Sequence, residues 1–134
     1  MATTITALVA FAAWYLLLTL ALAGFRGRLM VAGGRAPNSF APDGSDTPGL
    51  GRRLTRARDN CFESLPVFAA LALAASASGR LEVTDPLAMW VVYARVGQSV
   101  THVVSASNNA VRVRAAFFVV QVAIYLWWTL QLLG

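Results

Sequence analysis

The chain has no lysine, a single cysteine (Cys61), a single histidine (His102) and six acidic residues in 134. Each scarcity closes off a class of protein. One cysteine can form neither an internal disulfide nor a cysteine metal cluster, and no metal site is expected. Cys61 reads as a small packing residue near the start of an apolar run. Charged residues make up 13% of the chain and hydrophobic ones 57%, which is too apolar for an ordinary soluble domain of this size.

What is present is long apolar sequence. Four windows, 5–25, 61–78, 87–105 and 111–133, each approach the roughly 20 residues needed to cross the hydrocarbon core of a bilayer. Ala21-Leu22-Ala23 has the look of a signal cleavage site, but residues 1–8 carry no positive side chain and the apolar run is long, so the first window is read as a spanning helix. The expectation is an all-α integral membrane protein. It is a single domain, 1–134, forming a four-helix bundle of up-down topology, with helices at about 5–29, 48–78, 86–106 and 111–133 and a cytoplasmic loop at about 30–47.

The net charge of +5 suggests an acidic partner until its placement is considered. Arg26, Arg28, Arg35, Arg52, Arg53, Arg56, Arg58, Arg112 and Arg114 fall in or beside the first and third connections, whereas Arg80 is alone in the second. The positive-inside bias then puts both arginine-rich connections in the cytoplasm and both termini on the other side of the cell (inner) membrane. The basic excess is topological, and no nucleic acid is expected. Asp46-Thr47-Pro48 and Thr84-Asp85-Pro86 each read as a capping side chain followed by proline, opening the second and third helices. Pro66 should kink the second helix, the small-residue run 69–78 should allow close helix approach, and Tyr125, Trp127 and Trp128 form an expected outer aromatic belt. The 30–47 loop shows no period, and is either a flap over a site or a linker.

Against this apolar background the polar residues inside the helices stand out. Arg56, Asn60 and Glu63 lie at i, i+4 and i+7 and so share one face of the second helix. Arg95, Gln98 and His102 do the same in the third. A carboxylate facing hydrocarbon costs several kcal/mol or so, which makes an intramembrane Glu a site candidate by default. A Glu63–Arg95 pair, within one subunit or across two, is the economical expectation.

The pattern Arg53-x-x-Arg56-Ala57-x-x-Asn60-x-x-Glu63-x-x-Pro66-x-Phe68, with Ala94-Arg95-Val96 in the third helix and Val113-Arg114-Ala115-Ala116-Phe117 opening the fourth, resembles the MAPEG family, the membrane-associated proteins of eicosanoid and glutathione metabolism, and most its short bacterial members. The resemblance covers nearly the whole chain. It implies a homotrimer of four-helix subunits with glutathione as co-substrate, held in a polar cleft between neighbours near the cytoplasmic face. Carried over, Arg56, Asn60, Glu63 and Arg95 match glutathione-binding positions, and His102 and Arg28 are further candidates. Arg114, preferred over Arg112 for the sequence that follows it, matches the arginine beside the thiol and is the catalytic candidate. The family's eicosanoid enzymes carry Tyr where His102 and Phe118 stand here and His where Gln98 stands. Arginine forks suit the two carboxylates of glutathione, and Glu63 suits its ammonium.

The activity so implied is a glutathione-dependent transferase or peroxidase acting on lipophilic electrophiles taken from the lipid bilayer. A non-catalytic structural or regulatory protein on the same fold is the alternative. Small four-helix transporters also use an intramembrane Glu, but theirs lies in the first helix, which has no acid here.

Overall fold

A computed structural model describes residues 1–47 and 49–134 as four helices joined by one long and two short connections. The helices are α1 (Thr3–Val31), α2 (Leu50–Ala77), α3 (Leu81–Val104) and α4 (Asn108–Leu133). Helices α1, α2 and α4 are long and apolar enough to cross a membrane; α3 is not in that set. The sequence led us to expect four such windows. In α3 the polar series Arg95, Gln98, Thr101 and His102 dilutes an otherwise valine-rich helix.

The core is built round Phe68, which is fully buried. Its ring lies 5.2 Å from that of Phe11, 6.3 Å from Tyr125 and 6.0 Å from Trp128, tying α1, α2 and α4 together. Trp128 is completely buried and Tyr125 nearly so, while Trp127 faces outward. The expected belt of three aromatics is therefore one outward ring and two core rings, because consecutive positions on a helix point about 100° apart. Between spanning helices there is little hydrophobic drive, so close van der Waals packing has to supply the attraction. Ala72, Ala75 and Ala88 are fully buried at such contacts. Gly97 makes another close approach: a Cβ there would lie 2.7 Å from the Phe117 ring, so α3 and α4 come this near because the side chain is absent. Helix α2 runs through Pro66 without a break.

Both expected proline-flanked caps are corrected. Helix α3 opens five residues earlier, at Leu81, so Pro86 falls inside it. Asp85 does not cap its own helix: its carboxylate accepts the Thr4 backbone N–H at 2.8 Å, satisfying a free donor at the start of α1, and the Thr4 and Thr84 hydroxyls bond at 2.7 Å. Helix α2 opens at Leu50 after Gly49, whose φ of 75° suits glycine, with no side-chain cap. Asp46 pairs with Arg35 and accepts the Ala41 N–H at 2.9 Å, Thr47 is buried against Gly51, and Pro48 lies outside the described residues.

The connection between α1 and α2 is folded on itself rather than extended. Arg35 lies 4.4 Å over the Phe40 ring and Arg26 5.6 Å over it, and Arg26 also donates to the Ala41 carbonyl at 3.4 Å. Gly44 is buried with φ 72°; a Cβ there would sit 2.7 Å from Thr55 Oγ1. The loop is thereby pressed against the first turns of α2. So packed, the loop is not an extended linker.

Candidate functional site

Five of the sequence's candidate positions, Arg56, Asn60, Glu63, His102 and Arg114, converge from three helices. The α2 stripe Arg52, Arg56, Asp59 and Glu63 recurs at intervals of four, three and four, one face of a helix. His102 closes α3, and Arg114 lies in the second turn of α4, which Ser107 caps by accepting the Ala110 N–H at 3.2 Å. With Asn60 and the loop residue Asp43 they line one cleft of about 440 Å³. A small-molecule pocket commonly measures about 300 to 1,000 Å³.

Arg114 is aimed by His102. Its guanidinium donates to Nδ1 of the imidazole at 2.7 Å. A guanidinium has no acceptor, so Nδ1 must be unprotonated and the ring neutral, with its proton on Nε2. Asp59 is held by Arg58, which reaches one carboxylate oxygen with Nε at 3.0 Å and Nη2 at 2.6 Å. Glu63 is exposed on the protomer. Among the described residues it forms no ion pair, so the expected Glu63–Arg95 pair is absent within the subunit. Arg95, buried to 2% exposure, instead donates to the Asn60 side-chain oxygen and to the Asn60 carbonyl at 3.2 Å, and lies 5.7 Å from the Phe11 ring. A neutral amide and a backbone carbonyl accept from one terminal nitrogen and leave the charge in place, while Nε is buried without a partner among the described residues. Asn60 therefore belongs to both layers, with its side chain held by the buried arginine.

Beneath the cleft a smaller chamber of about 160 Å³ shares Asn60 and Glu63 with it and adds Arg95, Ser64, Phe118, Gln121 and Tyr125, among apolar neighbours. The Tyr125 and Ser64 hydroxyls bond at 3.0 Å, and buried Gln121 donates to Gln98 at 2.9 Å. Two expectations part here. Arg95 lines this chamber rather than the cleft. Arg28 lines neither: it is exposed and lines a separate cavity with Phe25, Leu29, Ala32 and Leu50, where the end of α1 meets the start of α2.

Sequence reading passed over Arg52, Asp59 and Asp43. The first two could have been found by extending the α2 stripe outward by its own period. Asp43 carried no signal, since nothing in an aperiodic loop says which side chain folds inward. Its carboxyl is held below the usual range, first by the Ser45 backbone N–H at 3.0 Å and also by the nearby positive charge of Arg52.

Three membrane-length apolar helices and, at one end, a charged cleft of arginines and carboxylates define a helical membrane protein with a polar cleft of small-molecule size. The chain belongs to the MAPEG family, whose family model matches residues 4–134. No curated protein and no solved structure matches it. Membership supports a membrane protein of the glutathione and eicosanoid metabolism type.

Proposed function

We propose that the chain is a membrane-embedded enzyme of glutathione transferase or peroxidase type, which activates a thiol against lipophilic electrophiles. The observation that carries this reading is the composition of the cleft: Arg52, Arg56 and Arg114 face Asp43, Asp59 and Glu63 around one space. Glutathione bears two carboxylates, one ammonium and one thiol, and that set of charges is its complement.

Arg114 is the catalytic residue in this reading. A free thiol with a pKa of about 8.5 is a few per cent ionised at neutral pH, and lowering that pKa by about two units takes roughly 2.7 kcal/mol. A positioned guanidinium in a site of low dielectric supplies energy of that order. The thiol proton passes to solvent. The thiolate sulfur then attacks the electrophilic carbon, and the leaving group departs with the bonding electron pair. Neutral His102 orients the guanidinium without competing for the thiolate, since its ring carries no charge. Arg56 and Asn60 hold the ligand, Glu63 closes the inner end, and Arg95 acts through Asn60.

The reading extends to assembly and placement. We take α3 as the fourth spanning helix of an up-down bundle. The arginine-rich connections then face the cytoplasm across the inner membrane and the termini lie on the other side. Exposed, unpaired Glu63 in an apolar helix supports a homotrimer, in which a neighbour covers it and the cleft is shared. A second reading, a family member that binds without turnover, draws support from Phe118, which brings no hydroxyl to the inner chamber.

Calorimetric titration of the purified protein in detergent with glutathione, followed by turnover of a chromogenic electrophile, tests the proposal. Saturable heat with conjugate formation is expected; heat without conjugate selects the second reading, and no heat rejects both.

A further inference from the structure

We infer that the face of α1 carrying Arg28 binds one anionic phospholipid, its phosphate on the guanidinium and an acyl chain laid along the helix toward Trp14. The site shares no residue with the lining of the charged cleft, so it stands or falls apart from the glutathione reading.

Two apolar hollows lie on this face. One, of about 420 Å³, is lined by Phe25, Arg28, Leu29 and Ala32 of α1 with Leu50 of α2. The other, of about 240 Å³, is lined by Trp14, Leu18 and Ala21 of α1 with Leu54 of α2 and Val103 of α3. Trp14, Leu18, Ala21, Phe25, Arg28 and Ala32 recur at intervals of four, three, four, three and four, one face of α1, and Leu50 and Leu54 stand one turn apart on α2. The hollows are therefore in line along the same two helices. Among the described residues Arg28 is the only charged side chain in either lining, and Leu17 and Val104 on the rim of the second are more than half exposed.

The length of this track matches one leaflet. Arg28 and Trp14 are fourteen residues apart, about 21 Å along α1. A bilayer with its headgroup regions is about 40 to 45 Å thick, so one leaflet measures about 20 to 22 Å. In the other direction α1 begins at Thr3, about 16 Å from Trp14, close to half of the roughly 30 Å hydrocarbon core. With Trp14 at the midplane, Arg28 lies at the level of the lipid phosphates.

Charge decides the occupant. Arg28 is exposed in the last turn of α1 and makes no ion pair among the described residues. A second copy of the chain has little to offer it. Of the six acids, Asp43, Asp59 and Glu63 line the cleft, Asp46 is paired with Arg35, and Glu82 and Asp85 lie at the end of the bundle where α1 begins. A lipid phosphate is the anion that the membrane itself supplies at this depth, and its chain covers apolar walls that a soluble anion would leave bare. A headgroup that also carried an ammonium would leave it unpaired, since neither hollow holds an acid.

The test is native mass spectrometry of the full-length protein, drawn into detergent from vesicles of equal phosphatidylglycerol and phosphatidylcholine, with thermal unfolding as a check on folding. Wild type should retain phosphatidylglycerol in preference, up to one per chain. Arg28→Gln should lower that retention about fivefold, the scale of one arginine acting on anionic lipid at a membrane surface. Arg112→Gln, which removes an exposed arginine outside both hollows, should not. Ala21→Trp, which fills the second hollow, should lower retention with Arg28 still in place. Equal losses in Arg28→Gln and Arg112→Gln would reveal a general charge effect and overturn the site. Unchanged retention in Arg28→Gln or in Ala21→Trp would put the phosphate or the chain elsewhere and overturn it as well. Wild type that keeps both lipids equally would make the occupant any bilayer lipid, and wild type free of lipid would leave the face to a second copy; each result rejects the anionic phospholipid.

Discussion

Arg114 donates to His102 Nδ1 at 2.7 Å across the junction of α3 and α4, so the one guanidinium of the fourth helix that lines the cleft is held by the one histidine of the chain. The contact fixes direction rather than charge. A neutral acceptor restrains the side chain and leaves its full positive charge available to a ligand. An acidic partner would have neutralised it.

Replacing Arg114 by Ala should lower conjugation of a chromogenic electrophile about 10²- to 10³-fold, the usual loss when one donor to a developing or stabilised anion is removed. His102→Leu should reduce turnover by a smaller factor, since the guanidinium remains but is no longer held. Steady-state rates on both variants, with thermal unfolding in detergent as the control, check the order of the two effects. An Arg114→Ala rate equal to wild type would remove the residue from the chemistry.

The buried Arg95–Asn60 contact predicts a loss of stability in addition to any loss of ligand binding. Asn60→Leu removes the side-chain acceptor from a buried guanidinium and leaves it one backbone carbonyl, at a cost of about 1.5 to 3 kcal/mol. Replacing both, Arg95→Met with Asn60→Leu, should cost less than the sum of the single changes. A double-mutant cycle on unfolding free energies measures the coupling, and strict additivity would contradict it.

Gly97→Leu should drive α3 away from α4, since the first side-chain atom already meets the Phe117 ring. Overpacking of this kind costs about 1 to 3 kcal/mol. Because Phe117 lies three residues from Arg114, the shift should also loosen the Arg114–His102 contact. A lower unfolding temperature together with reduced turnover is the expected signature.

The loop should respond to acid through Asp46. The Ala41 N–H, and then the hydrogen bond from Arg35, hold its carboxyl below the usual value of 3.8. A carboxylate depressed in the folded state stabilises the fold above its unfolded pKa, and that contribution fades as pH falls through the folded value. Proteolysis at the 36–47 segment should therefore rise below about pH 4. In Asp46→Asn it should be raised at every pH, with a smaller step, since Asp43 in the same segment is also held below its usual value.

Much of the architecture was legible because it follows from composition. Apolar runs of membrane length predict the four helices, although the polar series of α3 leaves it short of the apolarity of the others. Arg56, Asn60 and Glu63 were legible as a site because polar side chains repeating at helical spacing inside apolar sequence have no cheap alternative explanation. The cap signals misled because Thr84 and Asp85 are used by another helix: a capping side chain takes the nearest free donor in space, and for Asp85 that donor is the Thr4 N–H at 2.8 Å. Trp128 was misplaced because an aromatic near a helix end suits a membrane interface or a core equally well.

The sequence by itself determined that this chain lives in a membrane, which helix faces carry charge, and the family it belongs to, because those properties reside in the order of polar and apolar side chains along each helix. The tertiary structure alone decided the partners. Arg95 took Asn60 rather than Glu63, Arg114 took His102, Arg28 turned to another face, and Asp43 arrived in the cleft from a loop without periodicity. Periodicity says which residues share a side, but pairing depends on distances across helices, and those are set by how Gly97, Phe68 and the small alanines allow the bundle to close.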